Sequence, residues 1–230
     1  MIRLAENLWG RFSMDVQKAQ PSERFMLWID AVGGYWVCLG EEIVLGQPVS
    51  GEAVDVPILG DLSRRHACLR RDGEGYVLEA FHDVKIDGRP VRDVGWLRDG
   101  SRIQLGRSVQ LAFHRPNALS GTARLDFVSR HRTQPSADAV LWMADTCVLG
   151  PSRNCHVVCH TWPRDVILYR RGDASLGRET CVSRSPDTSL YCRTPGLFAV
   201  DKKMCRDAAA VTLQSCVQGE GFSFRLDGKP

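Results

Sequence analysis

The sequence predicts an all-β protein of two β-sandwiches in tandem. Three observations carry this expectation. Short apolar runs of strand length recur from Phe25 onward, separated by Gly, Asp and Pro turns. At 230 residues the chain is too long for one small sandwich and comfortable for two domains of about 100 residues each. Several motifs also recur in the same order about one hundred residues apart, on either side of a polar stretch.

The strand pattern reads in order. Phe25 to Asp30 is the first run, and Tyr35 to Leu39 follows the Gly33-Gly34 turn. Ile43 to Leu45, Val56 to Leu59, Ala67 to Arg70, Tyr76 to Glu79 and Val84 to Ile86 come next, then Arg102 to Leu105 and Val109 to Phe113. Arg71-Asp72-Gly73 and Ile86-Asp87-Gly88 have the composition of hairpin turns. Strand texture resumes at Val140 to Met143 and ends on Phe222 to Leu226, which alternates apolar and polar residues. The expected organisation is a tail over residues 1–24 with weak helical periodicity, a sandwich over 25–116, a polar linker over 117–138 and a second sandwich over 139–230.

The repeat supports duplication. Val44-Leu45-Gly46 recurs as Val148-Leu149-Gly150, and Ala67 to Gly73 recurs as Ile167 to Asp173. Ile86-Asp87-Gly88 matches Val200-Asp201-Lys202, and Val109 to Phe113 matches Phe222 to Leu226.

Composition narrows the function. A net charge of +3 with interleaved acids argues against a dedicated nucleic-acid binder. No apolar run is long enough to span a membrane as a helix, and the first 20 residues lack a signal-peptide core, so a cytoplasmic protein is expected. The nine cysteines are an odd number scattered through apolar runs, as suits buried thiols in a reducing compartment. Cys155-His156-Val157-Val158-Cys159-His160 invites a metal or haem reading, but no second Cys/His pair with finger-like spacing follows. There is no P-loop, Gly-x-Ser-x-Gly or HExxH motif. Neither catalysis nor a cofactor or metal is expected.

The most informative residues are Leu45-Gly46-Gln47, Ser63-Arg64-Arg65-His66-Ala67, Lys85-Ile86-Asp87-Gly88 and Leu97-Arg98-Asp99-Gly100-Ser101-Arg102-Ile103-Gln104-Leu105-Gly106. Together they resemble the forkhead-associated (FHA) domain pattern over Phe25 to Pro116, most specifically in the Ser-x-x-His and the final Asp-Gly-x-x-Ile-x-Leu-Gly stretch. The resemblance implies a β-sandwich whose loops at one end bind phosphothreonine peptides without catalysis. It makes Ser63 a phosphate ligand and Arg64 a ligand-facing neighbour, with His82 and Lys85 beside the peptide. His66, Gly46 and Gly88 become supports of the loops. Two positions depart from the family: Gln47 stands where the phosphate-holding arginine belongs, and His82-Asp83 replaces Asn-Gly. Losing a charge-assisted contact costs about 1.5–3 kcal/mol. Arg64, Arg65, Lys85 and Arg89 are candidates to replace that charge.

In the repeat, Ser63-Arg64-Arg65-His66 corresponds to Pro163-Arg164-Asp165-Val166, and Pro151 takes the Gly-Arg position. The second copy therefore reads as a degenerate sandwich that has lost its phosphate site. The expected partner is a phosphothreonine-containing protein or another protein, with neither nucleic acid nor membrane. The competing expectation is a docking protein whose two sandwiches bind without regard to phosphate.

Overall fold

The computed structural model describes residues 23–49, 54–73, 75–171 and 189–228. The tail expected to be weakly helical lies almost wholly outside them. The described elements are all strands, as the sequence predicts.

The first half of the chain forms β1 (Arg24–Ile29), β2 (Gly33–Cys38), β3 (Glu42–Gly46), β4 (Val56–Pro57), β5 (Ala67–Asp72) and β6 (Gly75–Ala80). It continues with β7 (Val84–Ile86), β8 (Arg89–Val91), β9 (Val94–Leu97), β10 (Arg102–Leu105) and β11 (Val109–His114). The second half adds β12 (Ala123–Phe127), β13 (Ala139–Trp142), β14 (Thr146–Gly150), β15 (Val157–Val158) and β16 (Val166–Arg170). It closes with β17 (Leu190–Val200), β18 (Lys203–Val211), β19 (Cys216–Gly219) and β20 (Phe222–Asp227).

Among the described residues these strands make two sheets. A small one runs β4-β3-β5-β6-β9. The large one runs β15-β14-β16-β17-β19-β20-β1-β2-β13-β12-β11-β10-β7-β8, with β18 added on β17. This corrects the expected linker between two separate sandwiches. Residues 117–138 contain β12, which pairs with β11 on one side and β13 on the other. The hydrogen-bonded sheet therefore passes unbroken from the first half into the second. The first and last strands also pair, β1 against β20.

The join is explained by two cores on opposite faces of shared strands. Alternate side chains of a strand point to opposite faces. Phe25, Leu27, Tyr35, Val37 and Leu141 face one core, together with Leu149, Leu168, Phe198 and Phe224. Met26, Trp36, Cys38, Val140 and Trp142 face the other, together with Leu45, Leu69, Leu78 and Phe113. β13 joins β2 in parallel, with the whole first sandwich as the connection between them. Arg71 fastens this seam: its guanidinium lies 4.2 Å from the Trp142 ring centroid and donates to the carbonyls of Gly40 and Trp142.

The two halves share fine detail. β3 pairs with β4 in parallel and β5 antiparallel, and β14 pairs with β15 and β16 in the same way. Asp87 and Asp201 both adopt φ 51°. Asp87 accepts from Ser101 Oγ and the Arg102 amide; Asp201 accepts from Ser215 Oγ and the Cys216 amide. The register shifts one sequence match. Leu45 faces Ala67 and Leu149 faces Val166, so Asp165, not Val166, stands at the place of His66.

Candidate functional site

The site is built at one end of the first sandwich from the β4–β5 loop, the β6–β7 loop and the β10–β11 turn. His66, just ahead of β5, holds them. It is 4 % exposed, and its Nδ1 accepts the Ser63 amide at 3.2 Å while Nε2–H donates to the Asp83 carbonyl at 3.0 Å. Its own carbonyl accepts the amides of Phe81 and His82. The Asp83 carbonyl also accepts the Gly106 amide at 2.9 Å, so three loops meet at one oxygen. Both ring nitrogens are committed, which requires the neutral imidazole with its proton on Nε2. Burial pulls the His66 pKa below the ordinary histidine value, in keeping with that form. His66 is thus a brace, with no nitrogen left to act as a base.

Gly46 is required by close approach. A Cβ there would stand 1.8 Å from the Arg64 carbonyl oxygen, a contact with no room for a methyl group. Substituting Gly46→Ala is expected to force the β4–β5 loop outward, lowering the melting temperature and any affinity of the site together. A variant that melts and binds like the parent would contradict this.

These loops enclose an open hollow of about 540 Å³, lined by Ser63, His66, Phe81, His82, Asp83 and Arg107, with Asp61 at its edge. A second hollow of about 690 Å³ shares Phe81, His82 and Arg107 and extends to Lys85, Pro90 and Val91. Ser63, His66 and His82 therefore come together as the sequence suggests. Gln47 is exposed and its amide donates to the Ser63 carbonyl at 3.1 Å, which places it beside Ser63 but outside the hollow's lining. Arg64 is exposed and likewise not among the lining residues, and Lys85 belongs to the second hollow. Gly88 needs correction. It sits at φ 78° in the β7–β8 turn, at the opposite end of β7 from Asp83, and shapes that hairpin rather than the site.

Arg107 escaped the sequence reading. It follows Gly106 in the β10–β11 turn, more than forty residues beyond Ser63, and only the pinning of that turn to Asp83 brings the two together. The Gly106-Arg107 pair was the one available signal, though nothing in its spacing tied it to this site.

The matching end of the second half lacks this constellation. Trp162 takes the place of Ser63 and turns inward against Phe222 and Phe224. Arg164 lies 3.8 Å from the Glu220 carboxylate, and Asp165 accepts the Cys155 thiol. Burial pushes the Cys147 and Cys159 thiols up to about 12, so they are not thiolates at neutral pH. Among the described residues no cluster of three or more His, Cys, Asp or Glu is arranged to hold a metal.

No family model matches the chain, and no curated protein matches it. Solved structures do. The chain is similar to the Rv0020c FHA structure at 26 % identity, covering 36 % of this chain and 84 % of that one, with a TM-score of 0.26. It is similar to the FhaA FHA domain, solved in complex with the intracellular domain of Rv3910, at 27 % identity over 36 % and 91 % of the two chains, TM-score 0.25. The FHA domain of CT664 from Chlamydia trachomatis matches at 22 % identity over 36 % and 89 %, TM-score 0.26.

Proposed function

We propose that the chain is a non-enzymatic FHA-type interaction protein in which the sandwich bearing Ser63 reads phosphothreonine peptides. The observation that carries this reading is the single carbonyl of Asp83, where His66 and Gly106 bring a serine, a histidine and an arginine to one open hollow. Hydroxyl, imidazole and guanidinium are the donors that a phosphate dianion takes. The second half is read as a degenerate copy with a docking or structural role, because an inward tryptophan and an arginine facing a glutamate leave little for an anion. The site is weakened relative to the family by Gln47 and His82. The same reading places the protein in the cytoplasm with a phosphoprotein as its partner.

The test is a phosphothreonine peptide library screened against the full chain, with each hit repeated as its unphosphorylated twin. Phosphorylated peptides are expected to bind better, and Ser63→Ala to weaken them. Gln47→Arg adds a guanidinium next to Ser63 and is expected to strengthen binding about ten- to a hundredfold. Equal binding of both peptide forms would instead support docking without regard to phosphate.

A further inference from the structure

Resting on that reading, we infer that Arg107 is the phosphate-holding guanidinium of this site, replacing from the β10–β11 turn the arginine that position 47 lacks. The case begins with the cations around the mouth. Arg65 lies over Phe81, its guanidinium 5.7 Å from the ring centroid, and does not line the hollow. Lys85 lines the second hollow and not the one containing Ser63. Arg64 is engaged within the protein and does not line the hollow. Arg107 lines the Ser63 hollow and, among the described residues, its guanidinium has neither an ion-pair nor a hydrogen-bond partner.

Its backbone, in contrast, is fixed. Gly106 adopts φ 56° and donates to the Asp83 carbonyl, and Gln104 Nε2 donates to the carbonyls of Gly106 and Arg107 at 3.1 and 3.3 Å. A guanidinium carried on a fixed turn, with its donors uncommitted, loses little order when an anion arrives. Asp61 and Asp83 line the same hollow, yet neither comes within 4.0 Å of Arg107 as an ion pair. Their charge disfavours a stray anion and leaves the arginine needed to offset it. Because Arg107 faces both hollows, a phosphate held beside Ser63 and the peptide chain leaving it would share this one side chain.

The experiment titrates the full chain with a peptide pool carrying one fixed phosphothreonine among mixed residues, with its unphosphorylated twin, and with free phosphothreonine. Arg107→Ala is expected to reduce phosphate-dependent binding about ten- to a hundredfold with an unchanged melting temperature, since the side chain bonds to none of the described residues. Arg107→Lys, a point charge without the fork, should recover part of it. Adding Gln47→Arg to Arg107→Ala should restore binding, because a guanidinium then returns from the other side. If Arg107→Ala binds like the parent while Ser63→Ala loses the phosphate preference, the assignment fails and the proposed function stands. If the parent shows no preference for phosphate, both fall.

Discussion

A fragment of residues 25–116 is expected to remain unfolded, although it spans the whole recognisable motif. Cutting there removes β12 and β13, and with them Ala123, Leu125, Val140 and Trp142 from the first core. It also bares the opposite face of β1 and β2, where Phe25, Leu27, Tyr35 and Val37 are otherwise buried. Trp142 is the sharpest single probe. It is fully buried, its indole N–H donates to the Gly40 carbonyl at 2.8 Å, and its ring meets Tyr76 edge-on. Trp142→Ala should cost about 3–5 kcal/mol by leaving a large cavity and taking from the Gly40 carbonyl one of its two donors, Arg71 being the other. Because β1, β2 and β13 serve both cores, the full chain should unfold in one transition. Circular dichroism and hydrogen exchange would check both points; a cooperative melt of fragment 25–116 would refute the shared-strand account.

Removing the His66 imidazole should have the next largest effect. His66→Ala leaves the Ser63 amide and the Asp83 carbonyl without this partner, at about 2–4 kcal/mol in total. For a chain of this size the melting temperature falls on the order of 10 °C, and phosphate-dependent binding is lost with the loop geometry. Acid should imitate the mutation. His66 and His156 are both held neutral by burial, His156 with its pKa pulled down to about 4. His156 Nδ1 accepts the Val148 amide, and its Nε2 is buried without a partner. The unfolded chain, with histidine near its ordinary 6.5, binds more protons than the native state between those values. Stability is therefore full above about pH 6.5 and declines as the pH falls toward 4. The His156 share of that loss is about 3 kcal/mol. Denaturant melts of the parent and of His156→Leu across this range would decide. Equal pH dependence in the two would contradict the assignment for His156.

Local chemistry made much of this protein legible in its sequence. Turn residues and strand-length apolar runs marked β1, β2, β3, β5, β6, β7, β10, β11, β13 and β20, because the left-handed turn at Asp87-Gly88 and alternation along Phe222 to Leu226 are properties of neighbouring residues. The place of His66 beneath its loops followed from the resemblance of Ser63-Arg64-Arg65-His66 to the FHA pattern, with its position before an apolar strand in keeping.

The division of the chain was not. Clean alternation marks a strand with one buried face, as in β20, whereas Tyr35-Trp36-Val37-Cys38-Leu39 and Ala139 to Met143 are apolar without interruption. An unbroken run marks a strand buried on both faces, and these are the strands the two cores share. That signal was present, but it does not say which partner covers each face. β12 hides among polar neighbours because only part of it meets the core. Arg107 reaches Ser63 solely through a carbonyl that two distant segments share. Strands and turns were legible because they depend on residues a few places apart, and the serine with its histidine because together they match a short family motif. The fused cores and the arginine at the site emerge only in the folded chain, since both depend on which distant strands lie side by side.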